Sequence, residues 1–207
     1  MMLSLNEIET TLRKAALGAG LGFGAAEEVG RAGAWLCARG WDGVAAALAG
    51  LDRPGAPCEA VAEGVCRFRK AAAASAGLAA IDLLLGDCGV REARLEGLDS
   101  PWLLVGLAGI AVEAGNAAFR LRLGDAEALV RPAGLDIAGA VPARGCDAAL
   151  WVDEAPQHPA SAPRASAGAE VRDEDWRRAL ALAQRTYVPA SDRSRRFGAG
   201  AGARDED

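Results

Sequence analysis

The residues best suited to chemistry lie near the C-terminal end of the chain, in the stretch RTYVPASDRSRRFGAGAG. Guanidinium groups donate paired hydrogen bonds to carboxylates and phosphates, and glycine-rich backbone can turn its N–H groups towards an anion. The pattern therefore predicts a site for a small anionic metabolite. Its expected ligand-binding residues are Arg185, Tyr187, Ser191, Ser194, Arg195, Gly198, Gly200 and Gly202.

A solvated tail is the alternative interpretation of the same stretch, and composition alone favours it. Chain ends usually fray, and the acidic residues here offset the arginines. The acids are Asp192, Asp205, Glu206 and Asp207, and the arginines are Arg193, Arg195, Arg196 and Arg204.

Catalytic groups cannot be assigned from the sequence, so whether the chain is an enzyme stays open. The single histidine, His158, lies in a stretch rich in proline, alanine and serine, where we interpret it as a solvated loop residue. We expect no cofactor and no metal ion. An enzyme that uses carboxylates alone would need several of them to converge, the candidates being Asp82, Asp87, Glu113, Asp125, Asp136 and Asp147.

A dinucleotide-like pattern occurs at Gly20-x-Gly22-x-x-Ala25. The dinucleotide fingerprint has to follow a strand, which aims the chain at the pyrophosphate. Here the pattern follows a capped helix, so we interpret it as a glycine-rich turn between two helices. Nucleotide binding is kept only as a weak alternative.

Charge and cysteine content exclude several classes of protein. The net charge of −5 argues against nucleic acid as a partner, because phosphate binding needs a basic face. The longest apolar run, 102–112, is much shorter than the roughly 20 residues of a membrane-spanning helix. Five cysteines without a C-x-x-C spacing indicate small buried side chains in a reducing compartment. We therefore expect a soluble, cytoplasmic protein of bacterial type with no membrane association.

Helices are predicted at both ends of the chain. Ser4 and Glu7 form a capping-box pattern, and apolar residues at helical spacing follow from Leu5 to Ala16. A second helix is expected over 25–39 and a third, capped by Asp42, through Leu51. The last predicted helix covers 172–187, with a buried stripe of Trp176, Leu180 and Ala183.

The middle of the chain has the spacing of strands. Short apolar or alternating runs broken by Gly, Pro or Asp occupy 91–153, including the run at 102–112, and 119–123 is the clearest strand. The alanine-rich composition of 59–85 favours helix. The order of elements predicts an α+β fold in which about three N-terminal helices and a C-terminal helix pack on a mostly antiparallel sheet. We expect a single domain, 1–207, made of a helical layer (1–51), a strand-rich core (86–152), a Pro/Ala/Ser-rich loop (153–170) and a C-terminal helix with a glycine-rich segment (171–207).

Two stretches resemble the ends of a bacterial family known as domain of unknown function 3726. They are SLNEIETTLRKAALGAGLGFGAAEEVGRAGAWL, residues 4–36, and RTYVPASDRSRRFGAGAG, residues 185–202. The resemblance implies no reaction, but it implies that the C-terminal stretch is a structured element. The matching positions there are Thr186, Tyr187, Val188, Pro189, Ser191, Ser194, Gly198, Gly200 and Gly202. The chain departs from the family after Gly202, where similar proteins end in a Thr-Asp-Asn-Asp-like run, so we assign the final acids no metal-binding role.

Our leading hypothesis is that the chain binds a small anionic metabolite through its C-terminal segment, as an accessory subunit or an unclassified metabolic enzyme. The main alternative is an interaction or self-association module that docks a partner, or a second copy, through the N-terminal helices.

Overall fold

The computed structural model describes residues 1–53, 58–115, 117–132, 134–153 and 166–187. Six α-helices, a main sheet of seven strands and a second sheet of two strands make up this part of the chain, which confirms the predicted α+β class. The helices are α1 (Leu5–Gly18), α2 (Phe23–Ala38), α3 (Gly43–Ala49), α4 (Leu78–Leu85), α5 (Pro101–Gly115) and α6 (Asp173–Gln184), with a π-helical turn at Ala73–Gly77 directly before α4. The strands are β1 (Met2–Ser4), β2 (Ala60–Ala62), β3 (Val65–Arg69), β4 (Glu92–Leu98), β5 (Phe119–Leu123), β6 (Ala126–Arg131), β7 (Gly134–Ala138), β8 (Cys146–Val152) and β9 (Gly168–Glu170).

The main sheet has seven strands in the order β2-β3-β4-β8-β5-β6-β7. Its neighbouring strands are antiparallel except for β3 and β4, so the predicted antiparallel character is confirmed. Side chains alternate in β5: Phe119 and Leu121 are buried, and Arg120 is exposed. A period of two places the apolar residues of β5 on one face of the strand, and α5 packs against β5.

The predicted strand at 102–112 is wrong: this run lies inside α5. This helix is apolar on every side because it is buried between two layers. The main sheet packs against one of its sides, and helices α2 and α3 pack against another. A helix buried all round shows no amphipathic stripe. Its glycines are not breaks, since a Cβ on Gly106 or Gly109 would collide with Leu36 or with the ring of Trp35.

The prediction for 59–85 is right for only part of that range. Residues 60–62 and 65–69 are strands β2 and β3 of the main sheet, and helix begins at Ala73. The strand-rich core therefore starts earlier in the chain than residue 86.

The outer helical layer consists of α1, α2, α3 and α6, which pack on one another and on α5. The predicted capping box is present: the Ser4 hydroxyl accepts from the Glu7 N–H at 3.2 Å, and the Glu7 carboxylate accepts from the Ser4 N–H at 2.9 Å. In α6 the buried residues are Trp176, Ala179 and Ala183. Leu180, predicted to be buried, is 40% exposed.

A short two-stranded sheet joins distant parts of the chain. β1 pairs antiparallel with β9, so Leu3 lies opposite Ala169. Of the predicted loop 153–170, residues 168–170 therefore form a strand, and residues 154–165, with His158, lie outside the described residues.

Candidate functional site

Two of the eight predicted ligand-binding residues, Arg185 and Tyr187, lie at the end of α6. The Lys14 ammonium donates to the Tyr187 hydroxyl at 3.4 Å and lies 5.4 Å from the centre of its ring. Tyr187 therefore lies beside the second half of α1. The other six residues lie outside the described residues and stay predictions; they are Ser191, Ser194, Arg195, Gly198, Gly200 and Gly202.

A cavity of about 520 Å³ begins one residue after α1, and we call it the polar cavity because Asp52, Arg53 and Ser75 contribute polar side chains to its otherwise apolar wall. Three segments form its wall: the turn between α1 and α2, the chain after α3, and the start of the π-helical turn. The lining residues are Ala19, Gly20, Leu21, Gly22, Ala25, Leu51, Asp52, Arg53, Ala72, Ala74 and Ser75.

The start of α2 lies in this wall through Gly22 and Ala25. Its N-cap residue is Gly22, which has no side chain to accept a hydrogen bond, and the first turn contains no acidic residue. The first N–H groups of a helix have no acceptor within the helix, and the helix dipole places partial positive charge there. The pattern at Gly20, Gly22 and Ala25 is thus a turn between two helices, as the sequence predicts, and it follows α1 rather than a strand.

Asp52, in the chain that follows α3, has two arginine partners. The Asp52 carboxylate pairs with Arg144 at 3.1 Å and also with Arg178 of α6. Its negative charge is therefore neutralised within the fold. The exposed Arg53 donates to the Gly97 carbonyl at 3.2 Å and keeps further donors of its guanidinium for another partner. Sequence reasoning missed Asp52 and Arg53, because no pattern along the chain connects them with Ser75 or Gly22.

Asp99, which directly precedes Ser100 and the start of α5, anchors the π-helical turn. Its side chain accepts from the Ala73 N–H at 2.8 Å and so supplies a cap from another element. The residue is only 7% exposed, and its second carboxylate oxygen has no hydrogen-bond partner in the described part of the chain. Burial raises the pKa of this carboxyl above its usual range, while the bond from Ala73 opposes that shift. Asp99 therefore positions Ala72, Ala74 and Ser75 in the cavity wall.

A larger groove of about 790 Å³ runs between α2, α4 and α5, and we call it the apolar groove. Leucine, isoleucine and alanine side chains form most of its surface. The charged residues Glu28 and Arg31 pair with each other at 3.0 Å on the α2 side. The groove and the polar cavity have two lining residues in common, Ala25 and Ser75.

Three of the carboxylates proposed for an acid-only enzyme, Glu113, Asp136 and Asp147, have different partners in different elements. Glu113 accepts from the Trp35 indole and from Arg39, both at 2.8 Å, and Asp136 pairs with Arg131 at the sheet edge. Asp147 accepts from the Gly97 N–H at 2.8 Å. Across 1–53, 58–115, 117–132, 134–153 and 166–187, no group of three or more His, Cys, Asp or Glu side chains could hold a metal ion.

Two buried cysteines have thiols that are hard to ionise. Burial raises the pKa of Cys66 to about 11, and it also raises the pKa of Cys37. The thiolate is the reactive form of cysteine, so neither residue is activated as a nucleophile at neutral pH.

In the part of the chain that the structure describes, no helix combines the length and apolarity needed to cross a membrane.

Comparison with known protein families finds a match in the N-terminal part of the chain. Residues 3–83 match the family described as Protein of unknown function (DUF3726). The match confirms the resemblance of residues 4–36, while that of residues 185–202 lies outside it and stays a prediction. The matched range contains all the lining residues of the polar cavity. A search of curated proteins gives no match.

Proposed function

We propose that this protein binds a small anionic metabolite in the polar cavity. One observation carries the proposal: the uncapped start of α2 and the Arg53 guanidinium line the same cavity of about 520 Å³. Cavities of 300–1,000 Å³ with a few convergent polar groups are typical of small-molecule sites. The N–H groups of the helix start and the forked guanidinium both favour carboxylate or phosphate oxygens.

The charges of the neighbouring side chains support an anion rather than a cation. Arg144 and Arg178 both bond to Asp52, the lining acid, so this acid is not available to attract a cationic ligand. Asp99, which interacts with Arg53, is buried, and its raised pKa disfavours its charged form. Asp147, a further acid of this region, accepts from the Gly97 N–H and does not line the cavity. Arg53 is then the exposed charge that faces a ligand.

The predicted C-terminal residues fit this location. The Arg185 Cβ lies 3.4 Å from the point where a Cβ on Gly18 would be, and the wall of the polar cavity begins at Ala19. The eleven residues from Val188 to Gly198 span up to about 36 Å when extended, so this segment has the length to fold back towards the cavity. We propose that Ser191, Ser194, Arg195 and the three glycines add donors to the same ligand.

Calorimetric titration of the full chain with inorganic phosphate and with succinate tests the proposal. We expect binding of one of the two, and about a tenfold or greater loss of affinity in Arg53→Ala, because the bond from a charged donor is lost. Arg91→Ala is the matched control, since Arg91 is an exposed arginine that lines neither cavity. No binding of either anion, or equal losses in both variants, would overturn the proposal.

The contribution of the C-terminal segment has a separate test. A chain that ends at Tyr187 keeps α6 and the whole polar cavity. We expect it to bind the same anion more weakly than the full chain. Equal affinity would restrict the site to the cavity and contradict the role of residues 188–207.

The interaction-module alternative has less support. The apolar stripes of α1 and α2 are buried against α6 and α5, so they are not available to a partner. Self-association stays a prediction. The proposed setting, the cytoplasm of a bacterium, rests on the sequence alone.

A further inference from the structure

The apolar groove lies beside the polar cavity, and the two meet at small side chains. Ala25 of α2 and Ser75 of the π-helical turn line both spaces. Both residues are partly exposed at their surface. The two spaces therefore adjoin at these two residues.

The floor of the groove is apolar. Ile81, Leu107 and Ile110 are at most 5% exposed and form its base, and Leu85 is 47% exposed at its side. An exposed leucine beside buried apolar side chains leaves hydrophobic surface in contact with water, which an apolar ligand would cover.

The charges along the groove do not demand a polar ligand. Glu28 and Arg31 satisfy each other in an ion pair one helical turn apart. Asp82, the remaining charged lining residue, is exposed and solvated. Among the described residues that line the two spaces, the preference for an anion therefore lies at the other side of the junction, at Arg53 and Gly22.

We propose that the ligand is an amphipathic anion, with its acidic head in the polar cavity and an unbranched apolar chain in the apolar groove. The inference rests on the proposed function and narrows it to a substrate class: carboxylates or phosphate monoesters that carry an alkyl or acyl chain. The chain passes over Ala25 and Ser75 and lies between α4 and α5.

Titration of the full chain with a series of monoalkyl phosphates tests this inference. Inorganic phosphate and the ethyl, butyl, hexyl and octyl esters are each used below the concentration at which they form micelles. We expect the affinity to rise by about threefold to fourfold for each added methylene until the groove is filled, as burial of methylene groups predicts. Hexanol, which has the chain without the acid, should bind far more weakly than hexyl phosphate.

A variant that fills the groove locates the chain. Ala79 lines the groove but not the polar cavity, and it is partly exposed on α4, so Ala79→Phe should fold. We expect it to bind inorganic phosphate as the parent does and to lose most of the gain with chain length. Ala45→Phe is the matched control, because Ala45 is a partly exposed helical alanine that lines neither space.

The possible results distinguish a failure of this inference from a failure of the proposed function. If phosphate binds but the esters bind no better, the chain has no site in the groove and this inference is wrong, while the anion site stands. A length dependence that persists in Ala79→Phe, or hexanol binding as tight as that of hexyl phosphate, would also overturn it. Failure of phosphate and every ester to bind would remove the proposed phosphate site and this inference together.

Discussion

The backbone carbonyl of Leu182 occupies the space that a Cβ atom on Gly18 would need. This contact brings the end of α6 against the end of α1 and places Arg185 beside the wall of the polar cavity. Gly18 is required here for close approach and not for an unusual backbone angle.

Replacement of Gly18 by alanine should therefore destabilise the fold. The methyl group must push α6 away from α1, and overpacking of this kind costs about 1–3 kcal/mol in the free energy of unfolding. Urea denaturation measures the loss. Gly24→Ala is the control: a Cβ there meets no atom within 4 Å, and alanine in a helix is favoured over glycine. Equal stability of the two variants would contradict the close packing of α1 and α6.

A charge placed at the start of α2 should abolish anion binding without damage to the fold. Gly22 has φ −64° and ψ 158°, which any residue adopts, and a Cβ there meets no atom within 4 Å. In Gly22→Asp the carboxylate caps the helix and repels a ligand, so we expect binding of phosphate or succinate to disappear. The stability should stay the same or rise by a few tenths of a kcal/mol, about the difference between Asp and Gly at an N-cap.

Gly22→Asn separates charge from capping in the same experiment. The amide is close in size to the carboxylate and also caps helices, but it is neutral. We expect titration calorimetry to show measurable binding for Gly22→Asn and none for Gly22→Asp. If both variants bind the anion as the parent does, the start of α2 is not part of the site.

Asp99 should make the stability depend on pH in the acidic range. Because burial raises its pKa in the folded state, the protonated form is favoured by folding. Stability from this group is present below the unfolded pKa of about 3.9 and is lost as the pH rises through the folded value. Asp99→Asn keeps the acceptor for the Ala73 N–H and removes the titration. We expect thermal unfolding of this variant to be less sensitive to pH above 4 than that of the parent.

Truncation of the Asp99 side chain to alanine should lower the stability of the fold near neutral pH. In Asp99→Ala the Ala73 N–H loses its acceptor in a buried place, and an unsatisfied buried group costs about 1–3 kcal/mol. Urea denaturation near neutral pH should therefore rank Asp99→Asn at or above the parent, and Asp99→Ala below it. A ranking with Asp99→Ala equal to Asp99→Asn would show that the cap on the π-helical turn has no energetic weight.

The capping box at the start of α1 gives a further pH dependence with the reverse sign. The hydrogen bonds from Ser4 lower the pKa of Glu7, so its stabilising effect is present above the unfolded value near 4.5 and is lost as the pH falls. Ser4→Ala should cost about 1 kcal/mol, the usual effect of a lost N-cap. Ser4→Thr, which keeps the hydroxyl, should lose much less. Chemical denaturation of both variants at pH 7 checks the difference.

The elements that the sequence predicts well are those whose signals are local. Ser4 and Glu7 identify the start of α1 because both partners lie within one turn, and Phe119, Arg120 and Leu121 alternate because one face of β5 is buried. Helix α5 was predicted as a strand because burial on all sides removes the amphipathic stripe. Leu180 was predicted to be buried from helical spacing, but Ala179, one residue earlier, occupies the buried side of α6.

The residues that line the polar cavity could not be predicted from the sequence, and the anionic ligand stays a prediction. Arginine and glycine near the C-terminus indicate an anion, but Gly22, Arg53 and Ser75 come together through the packing of α2, α3 and the π-helical turn. Nothing in the spacing of these residues along the chain connects them. The role of Asp99 is likewise invisible in the sequence, because its partner Ala73 is a backbone group 26 residues away.

The pairing of β1 with β9 has a consequence for how the protein is made. β1 cannot pair until residues 168–170 have been synthesised, and α1 cannot pack against α6 until α6 has been synthesised. The outer helical layer is therefore incomplete while the ribosome synthesises the main sheet. Until α6 leaves the ribosome, the apolar side chains of α1 that it covers are accessible to chaperones and to neighbouring nascent chains. A fragment cut near residue 83 would lack these late partners, and we expect it to aggregate rather than fold alone.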